Sequence, residues 1–375
     1  MINMEPVLKR GYTAWDGHVL PLDEYDERIA NVRAALRQQG LDGLVVVNYS
    51  LLGAMFDYAD LAYLAGLQSG GVLLLTHDAD PVLVSFGGGR ELSFLRRQTW
   101  LSDVVAGRGD TFGVVRDRLQ AGGIAGGAIG TVGTGGMPES AAARLAEVLG
   151  DYVLRPFDAE LRALRARKRP RELMAVRIAK GIVDDAVEAA ERRFADGGDN
   201  TAALLEAERV ARAGRARDVR VLANMSGGGL RPFEGRLDGR QAPLLLWVAA
   251  QYQGYWAEAS STWPRPAASA AGEAVEAMRG AVRTGACAGD IAAAALGALP
   301  AAAADSALGY GLGGTTGLAL NEGIEIRPDS DDVLPQDALL TLRTLVADDG
   351  GPSFAGTLVR VDDDGAHPVD GLRPA

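Results

Sequence analysis

A segment of twenty residues, LLLWVAAQYQGYWAEASSTW (244–263), sets the tightest limit on the fold of this chain. It consists of two short, mostly apolar and aromatic runs on either side of Gln253 and Gly254. This pattern predicts two strands joined by a turn at Gln253-Gly254. Trp247 and Glu258 lie one on each predicted strand, and this pair decides which chemistry the hairpin can carry.

Length, charge and cysteine content exclude several classes of protein. The chain has 375 residues, enough for two domains with sizeable cores. A net charge of −11 argues against a nucleic-acid groove, which needs a basic face, and against binding to anionic membrane. The single cysteine, Cys287, allows no disulfide within the chain, and no run of about 18 apolar residues suggests a membrane span. We therefore expect a cytoplasmic protein that binds neither nucleic acid nor membrane.

The order of predicted elements changes along the chain. The first part alternates an amphipathic helix (22–39) with buried strands (41–48, 70–76 and 81–86), which is typical of a small α/β domain. The second part has a charged linker (162–172), a long helix (about 171–196), a second helix (201–213) and one alanine-rich helical stretch (268–304) among strands. We predict an α/β domain over residues 1–160 and an α+β domain over residues 161–375.

Six segments of the second half resemble, in their order and spacing, one known family. They are LRALRARKRPRELMAVRIAKGIVDDAVEAA (161–190), GDNTAALLEAERVARAGRARDVRVLANMSGG (198–228), RTGACAGDIAAAAL (283–296), GYGLGG (309–314), LALNEGIEI (318–326) and ALLTLRTLV (338–346), and the hairpin resembles the same family. The chain resembles the creatinase, prolidase and aminopeptidase P family (M24, pita-bread fold), and YLAG (63–66) is similar to its N-terminal domain. The resemblance implies a creatinase-type α/β N-terminal domain and an α+β pita-bread C-terminal domain.

The resemblance also implies that the metal site has been lost. The metal enzymes of this family bind two divalent ions through two Asp, one His and two Glu, a set that suits hard or borderline cations. The matching positions here hold Trp247, Glu258, Tyr310, Arg343 and a residue near Ala355. One carboxylate of five remains, so we expect a degenerate member without a metal or other cofactor.

Creatinase is a metal-free relative, and its chemistry depends on a histidine in the loop before the first hairpin strand. The matching loop (226–243) contains no histidine and has Phe233 at about that place. The resemblance therefore does not extend to creatine hydrolysis by that mechanism.

In the implied fold, the remaining polar and aromatic side chains should converge on the former metal site. A carboxyl group in a partly desolvated cleft can transfer protons, and an arginine can bind a carboxylate in bidentate fashion. A buried ion pair that fills the vacated site, and a tryptophan that packs in the core, are the structural alternatives. We predict catalytic roles for Glu258, Glu322 and Tyr310, and substrate-binding roles for Arg343, Trp247, Tyr255 and Phe233.

Three functions compete for this residue set. The favoured one is a metal-independent, creatinase-like enzyme that hydrolyses a C–N bond of a small amino-acid-like, guanidino or amide substrate. The alternative is a non-catalytic pita-bread protein that binds peptide or protein partners, and a metal-dependent Xaa-Pro aminopeptidase is less favoured. The family habit suggests a homodimer.

Overall fold

The computed structural model of the protein describes residues 14–49, 59–224, 229–232, 239–348 and 351–373, without the side chains of Arg90 and Asp348. The chain divides into two compact units, Met1–Arg165 and Ala166–Ala375, and each has its own hydrophobic core. Among the described residues, no helix combines the length and the hydropathy that crossing a membrane requires.

The N-terminal unit contains a six-stranded mixed sheet. Its strands are β1 (Gly43–Asn48), β2 (Gly71–Thr76), β3 (Val82–Ser85), β4 (Asp103–Ala106), β5 (Gly127–Val132) and β6 (Tyr152–Pro156). Its helices are α1 (Leu22–Gln39), α2 (Ala59–Ala65), α3 (Gly89–Gln98), α4 (Thr111–Ala121), α5 (Glu139–Val148) and α6 (Asp158–Ala166). The strand order is β4-β3-β2-β1-β5-β6, with β1 antiparallel to β2 and parallel to β5. The predicted α/β class is confirmed for this unit.

Helix α1 has the bounds that its apolar spacing predicts. Tyr25, Ile29, Val32 and Leu36 recur every three or four residues and are all buried, so one stripe of the helix faces the core. The helix ends where Gly40 takes a φ of 64°, a left-handed conformation that glycine adopts without steric cost.

The predicted charged linker at 162–172 is wrong, because helices occupy most of it. Helix α6 continues to Ala166, and the next helix begins at Pro170. Arg165 is buried, and its guanidinium lies 2.6 Å from a carboxylate oxygen of Asp60. The opposite charge of Asp60 offsets the cost of burying the cation. Arg165 belongs to a basic run, yet it is the buried partner of Asp60. The local sequence around Arg165 does not indicate this burial.

The C-terminal unit is a mixture of helices and two antiparallel sheets, as an α+β class predicts. Its helices are α7 (Pro170–Ala195), α8 (Asn200–Ala213), α9 (Ala270–Ala281), α10 (Ala288–Gly297) and α11 (Ala304–Tyr310). Its strands are β7 (Asp218–Asn224), β8 (Leu230–Arg231), β9 (Leu244–Tyr252), β10 (Tyr255–Trp263), β11 (Gly313–Thr316), β12 (Leu339–Asp348), β13 (Gly351–Asp362) and β14 (Gly365–Pro368). The two sheets have the orders β10-β9-β7-β8 and β11-β12-β13-β14.

The hairpin of β9 and β10 forms at the predicted turn. Tyr252 pairs with Tyr255, which leaves Gln253 and Gly254 as a two-residue loop with φ angles of 48° and 91°. Two consecutive positive φ angles match the twist of the flanking strands, and Gly254 supplies one of them without strain. The turn therefore fixes the register that brings Trp247 opposite Ser260.

Strands β10 and β13 join the two sheets of this unit. The backbone N–H of Phe354 on β13 donates to the hydroxyl of Thr262 on β10 (2.7 Å), and that hydroxyl donates to the carbonyl oxygen of Phe354 (3.0 Å). Both residues are buried, so this reciprocal pair holds β12 and β13 against the hairpin.

Two further predictions for this unit need correction. The alanine-rich stretch at 268–304 is not one helix but contains α9 and α10, and Gly285 (φ 80°) lies between them. The segment 318–326, which resembles a strand of the family, is largely irregular and forms a single bridge between Gly314 and Glu325.

Candidate functional site

The centre of the candidate site is an ion pair between Glu258 on β10 and Arg343 on β12. Nη1 of Arg343 donates to Oε1 of Glu258. The side chain of Glu258 is 4% exposed, whereas that of Arg343 is 29% exposed. The carboxylate is therefore buried beneath a guanidinium that reaches the surface.

Trp247 supplies the second donor to this carboxylate. Its indole Nε1 lies 2.9 Å from Oε2 of Glu258. Trp247 pairs with Ser260 across the hairpin, and side chains alternate along a strand, so Glu258, Ser260 and Trp247 lie on one face of the sheet. Each oxygen of Glu258 accepts one hydrogen bond from a side chain at this face.

The ion pair leaves part of the guanidinium available. Arginine carries five N–H donors, and the bond to Glu258 uses one of them. Among the described residues, Glu258 provides the one ion pair of Arg343. A partly exposed guanidinium with donors to spare can bind a carboxylate of a ligand.

Gly356 on β13 makes the close approach of β13 to β12 and to β10 possible. It pairs with Arg343 in the β12–β13 ladder, and a Cβ at this position would lie 3.2 Å from Cβ of Arg343 and 3.0 Å from Oγ of Ser260. Any side chain here would push against both residues. The sequence analysis did not identify Gly356, because its importance depends on strand pairing.

Tyr310 lies at the end of α11 and is 39% exposed. Its hydroxyl accepts a hydrogen bond of 3.3 Å from the backbone N–H of Leu230 on β8. Leu230 and Trp247 pack against the same small core cluster. Tyr310 is thus linked to the site through Leu230, while the described bond of its hydroxyl does not involve Glu258.

Glu322 forms a second buried ion pair. Its Oε2 lies 2.6 Å from Nζ of Lys168, and its Oε1 accepts a hydrogen bond of 2.9 Å from the backbone N–H of Leu318. Both side chains of the pair are almost fully buried. These described bonds of Glu322 do not involve Glu258, and its convergence with Glu258 stays a prediction.

Tyr255 faces the opposite side of the hairpin. It is three residues from Glu258, and alternation along a strand sends the two side chains to opposite faces. Its hydroxyl donates to Oε1 of Glu172 at 2.9 Å in a fully buried contact with α7. The remaining predicted site residue, Phe233, lies outside the described residues.

Two residues on the same face as Glu258 were missed by the sequence analysis. Arg220 on β7 pairs with Ala249, which pairs in turn with Glu258, so these side chains form one row across the sheet. The guanidinium of Arg220 stacks on Trp256, with Cζ 4.6 Å from the ring centroid. The alternation of polar and apolar residues in DVRVLAN (218–224) is the signal that could have identified Arg220.

Comparisons with known proteins agree with this fold. Residues 28–167 match the model of the creatinase/prolidase N-terminal domain. This match identifies residues 28–167 as a creatinase/prolidase N-terminal domain. No curated protein matches the chain by sequence.

Solved structures extend the creatinase/prolidase fold to both units. The X-Pro aminopeptidase of Thermotoga maritima shares 17% identity over 92% of this chain and 97% of its own, with a TM-score of 0.77. The dipeptidase PepE of Mycobacterium ulcerans shares 23% identity over 96% and 98% (TM-score 0.69). The N-terminal domain of the FACT complex subunit SPT16 from chickpea shares 12% identity over 94% and 95% (TM-score 0.61). The predicted creatinase-type domain and pita-bread domain are confirmed as a fold.

The side chains at the expected ligand positions do not fit a pair of divalent ions. Trp247 and Arg343 offer no metal-binding atom, and the two oxygens of Glu258 already accept bonds from them. A fixed guanidinium also repels a cation. Elsewhere among the described residues, one group of possible ligands lies at the β13–β14 turn, where it is largely exposed and away from Glu258: Asp362, Asp364 and His367.

Proposed function

We propose that this protein is a metal-independent hydrolase that cleaves a C–N bond of a small, carboxylate-bearing, amino-acid-like or amide substrate. The observation that carries the proposal is the partly exposed guanidinium of Arg343, oriented by the buried carboxylate of Glu258. A guanidinium with a fixed orientation loses little conformational freedom when it binds a planar carboxylate. Arg343 is the substrate-binding residue in this proposal.

Glu258 is the proton-transfer group. Each oxygen of a carboxylate has two lone pairs, so one remains on each oxygen after the bonds to Trp247 and Arg343. A water molecule attacks the substrate carbonyl carbon and passes a proton to Glu258, which returns it to the leaving nitrogen as the C–N bond breaks. The products are a carboxylic acid and an amine, and Glu258 ends in its starting state.

Trp247 forms one wall of the site. We assign no chemical step to Glu322 or Tyr310, the other two residues predicted to be catalytic. Trp247 is partly exposed and presents an apolar ring beside the ion pair. Glu322 is occupied by Lys168, and the hydroxyl of Tyr310 by the backbone of Leu230. We assign Glu322 a role in the stability of the fold and Tyr310 a role in holding β8 beside the site.

One observation supports hydrolysis, and another supports chemistry without a metal. Solved structures with this fold include an X-Pro aminopeptidase and a dipeptidase, and peptidases hydrolyse C–N bonds. The guanidinium of Arg343 supplies the positive charge that a divalent ion would otherwise provide to an anionic substrate. The site therefore keeps a positive charge without a metal ion.

The test is hydrolysis of a panel of N-acyl amino acids, dipeptides and guanidino acids by the purified protein before and after treatment with a chelator. We expect turnover that survives chelation, that falls at least 100-fold in Glu258→Gln and that persists in Glu276→Gln. Glu276 is a matched control because it pairs with an arginine, Arg279, at the surface of α9. Turnover that requires stoichiometric Mn, Co or Zn would overturn the metal-independent assignment.

A second candidate function is binding without catalysis. The observation that favours it is the near-complete burial of Glu258, which restricts the access of water. The relative from the FACT complex also shows that this fold occurs in a protein whose description names no hydrolase. Carboxylate binding that depends on Arg343, with no turnover of any panel member, would select this candidate.

The proposal includes a small molecule as the substrate and a homodimer as the assembly. The acidic net charge of −11 disfavours binding to nucleic acid and to membrane. Sedimentation equilibrium of the full chain measures the assembly directly. A monomer at micromolar concentration would contradict the dimer and leave the proposed chemistry within the C-terminal unit.

A further inference from the structure

A second arginine, Arg220, lies on the face of the sheet that carries Glu258, and it also pairs with a less exposed carboxylate. Nη2 of Arg220 lies 3.8 Å from a carboxylate oxygen of Asp218, and the two side chains are 35% and 16% exposed. In the first pair, Arg343 is likewise more exposed than Glu258. In both pairs the arginine side chain is more exposed than the carboxylate side chain, so a ligand that approaches from solvent meets the arginine first.

Strand register places Arg220 and Glu258, the partner of Arg343, on one row. Arg220 on β7 and Glu258 on β10 both pair with Ala249 on the strand between them. Strands in a sheet are about 4.8 Å apart, so the backbones of Arg220 and Glu258 are separated by about 10 Å. Arg343 lies on β12 in the other sheet, and its guanidinium meets this row at the carboxylate of Glu258.

The guanidinium of Arg220 is held by an aromatic ring. Its Cζ lies 4.6 Å from the centroid of Trp256, which is fully buried. A cation on a buried indole face is restrained in position. Arg220 is therefore a positioned cation and not a flexible surface side chain.

We infer that Arg220 is a specificity-determining residue that binds a second anionic group, and that the substrate of this site is a dicarboxylic compound. The inference rests on the proposed function, in which Arg343 binds the first carboxylate. A substrate with two carboxylates, such as an acyl or peptidyl derivative of an acidic amino acid, reaches both guanidinium groups along the row. The net charge of the protein is −11, so selection of a dianion requires such local cations.

The test compares glutarate with glutaramate, its monoamide, which has nearly the same shape and one negative charge fewer. Calorimetric titration of the purified full chain should give an affinity for glutarate about tenfold above that for glutaramate, as one added charge-assisted contact predicts. In Arg220→Gln this ratio should fall to about one, while the affinity for glutaramate stays unchanged. Arg220→Lys should retain part of the preference because the charge is kept.

Arg231→Gln is the matched control. Arg231 is an exposed arginine on the adjacent strand β8, and its pairing with Ala223 places it on the opposite face from Arg220. This variant should keep the full preference for glutarate. A preference that persists in Arg220→Gln, or that disappears equally in Arg231→Gln, would overturn the inference.

The same titrations separate this inference from the proposed function. Equal binding of the two acids by the unmodified protein, lost in Arg343→Gln, removes the second anionic subsite and leaves the carboxylate site at Arg343. Binding of neither acid, or binding that is unaffected by Arg343→Gln, contradicts both.

Discussion

The indole N–H of Trp247 donates a hydrogen bond of 2.9 Å to Oε2 of Glu258, across the hairpin formed by β9 and β10. The sequence resemblance implies that these two positions correspond to aspartates of the family's metal enzymes, one on each strand. Here Trp247 is a donor and Glu258 is an acceptor. The carboxylate is stabilised by a side chain of the protein where a metal ion would otherwise stabilise it.

Trp247→Phe tests this bond, because it removes the indole N–H and keeps an aromatic ring. The variant leaves Oε2 of a buried carboxylate without its donor, which should lower the free energy of unfolding by about 1–3 kcal/mol. Chemical denaturation followed by circular dichroism measures the change. Trp263→Phe, on the same hairpin but without a side-chain hydrogen bond among the described residues, should cost less. Equal losses in the two variants would show that the bond to Glu258 contributes nothing.

Removing one partner of the Glu258–Arg343 ion pair should lower the free energy of unfolding more than replacing both partners by apolar residues. Arg343→Met leaves a buried carboxylate without its cation and should lower the free energy of unfolding by about 3 kcal/mol. The double variant Glu258→Met, Arg343→Met should recover most of that loss, because no buried charge remains. Thermal and urea denaturation of the single and double variants give the coupling energy.

The surface pair of Glu276 and Arg279 provides the comparison. Arg279→Met should change the free energy of unfolding by less than about 1 kcal/mol, since both partners are largely exposed. If Arg343→Met costs no more than Arg279→Met, the pair with Glu258 is not a buried ion pair in solution.

Much of the fold could be predicted because its signals are local. The bounds of α1 follow from apolar spacing over Leu22–Gln39 and a terminal glycine. The hairpin follows from two apolar runs around Gly254, and its turn fixes the register by itself. Elements of this kind need no knowledge of the rest of the chain.

The site could be predicted only in part, because its partners are distant in sequence. Glu258 and Arg343 are 85 residues apart, and the family resemblance supplied the connection that spacing could not. Lys168 and Glu322 are 154 residues apart, and no local pattern indicates that a lysine in a basic run is buried. Arg220 was missed because its place on the row of Glu258 depends on the register of three strands.

Gly356→Ala should be destabilising although alanine is a conservative replacement. The added Cβ would lie 3.1 Å from the carbonyl oxygen of Leu342 and close to Arg343 and Ser260, so the strands must separate slightly. We expect a loss of about 1–3 kcal/mol in the free energy of unfolding, together with weaker binding of glutaramate as Arg343 moves. Gly280→Ala in α9, where nothing lies within 4 Å of the new Cβ, should instead stabilise the protein by up to about 1 kcal/mol. Equal effects at the two glycines would contradict the close packing at Gly356.

Glu322→Gln separates a structural role from the catalytic role that the sequence predicts. The variant removes the carboxylate that lies 2.6 Å from the buried Nζ of Lys168, so we expect the free energy of unfolding to fall by about 3 kcal/mol. Lys168→Met should cost a similar amount, because it removes the cation beside the buried carboxylate of Glu322. The affinity of the folded protein for glutaramate should stay unchanged in both variants, since Arg343 and its partner Glu258 are intact. Loss of turnover in Glu322→Gln at unchanged stability would instead make Glu322 a participant in the chemistry.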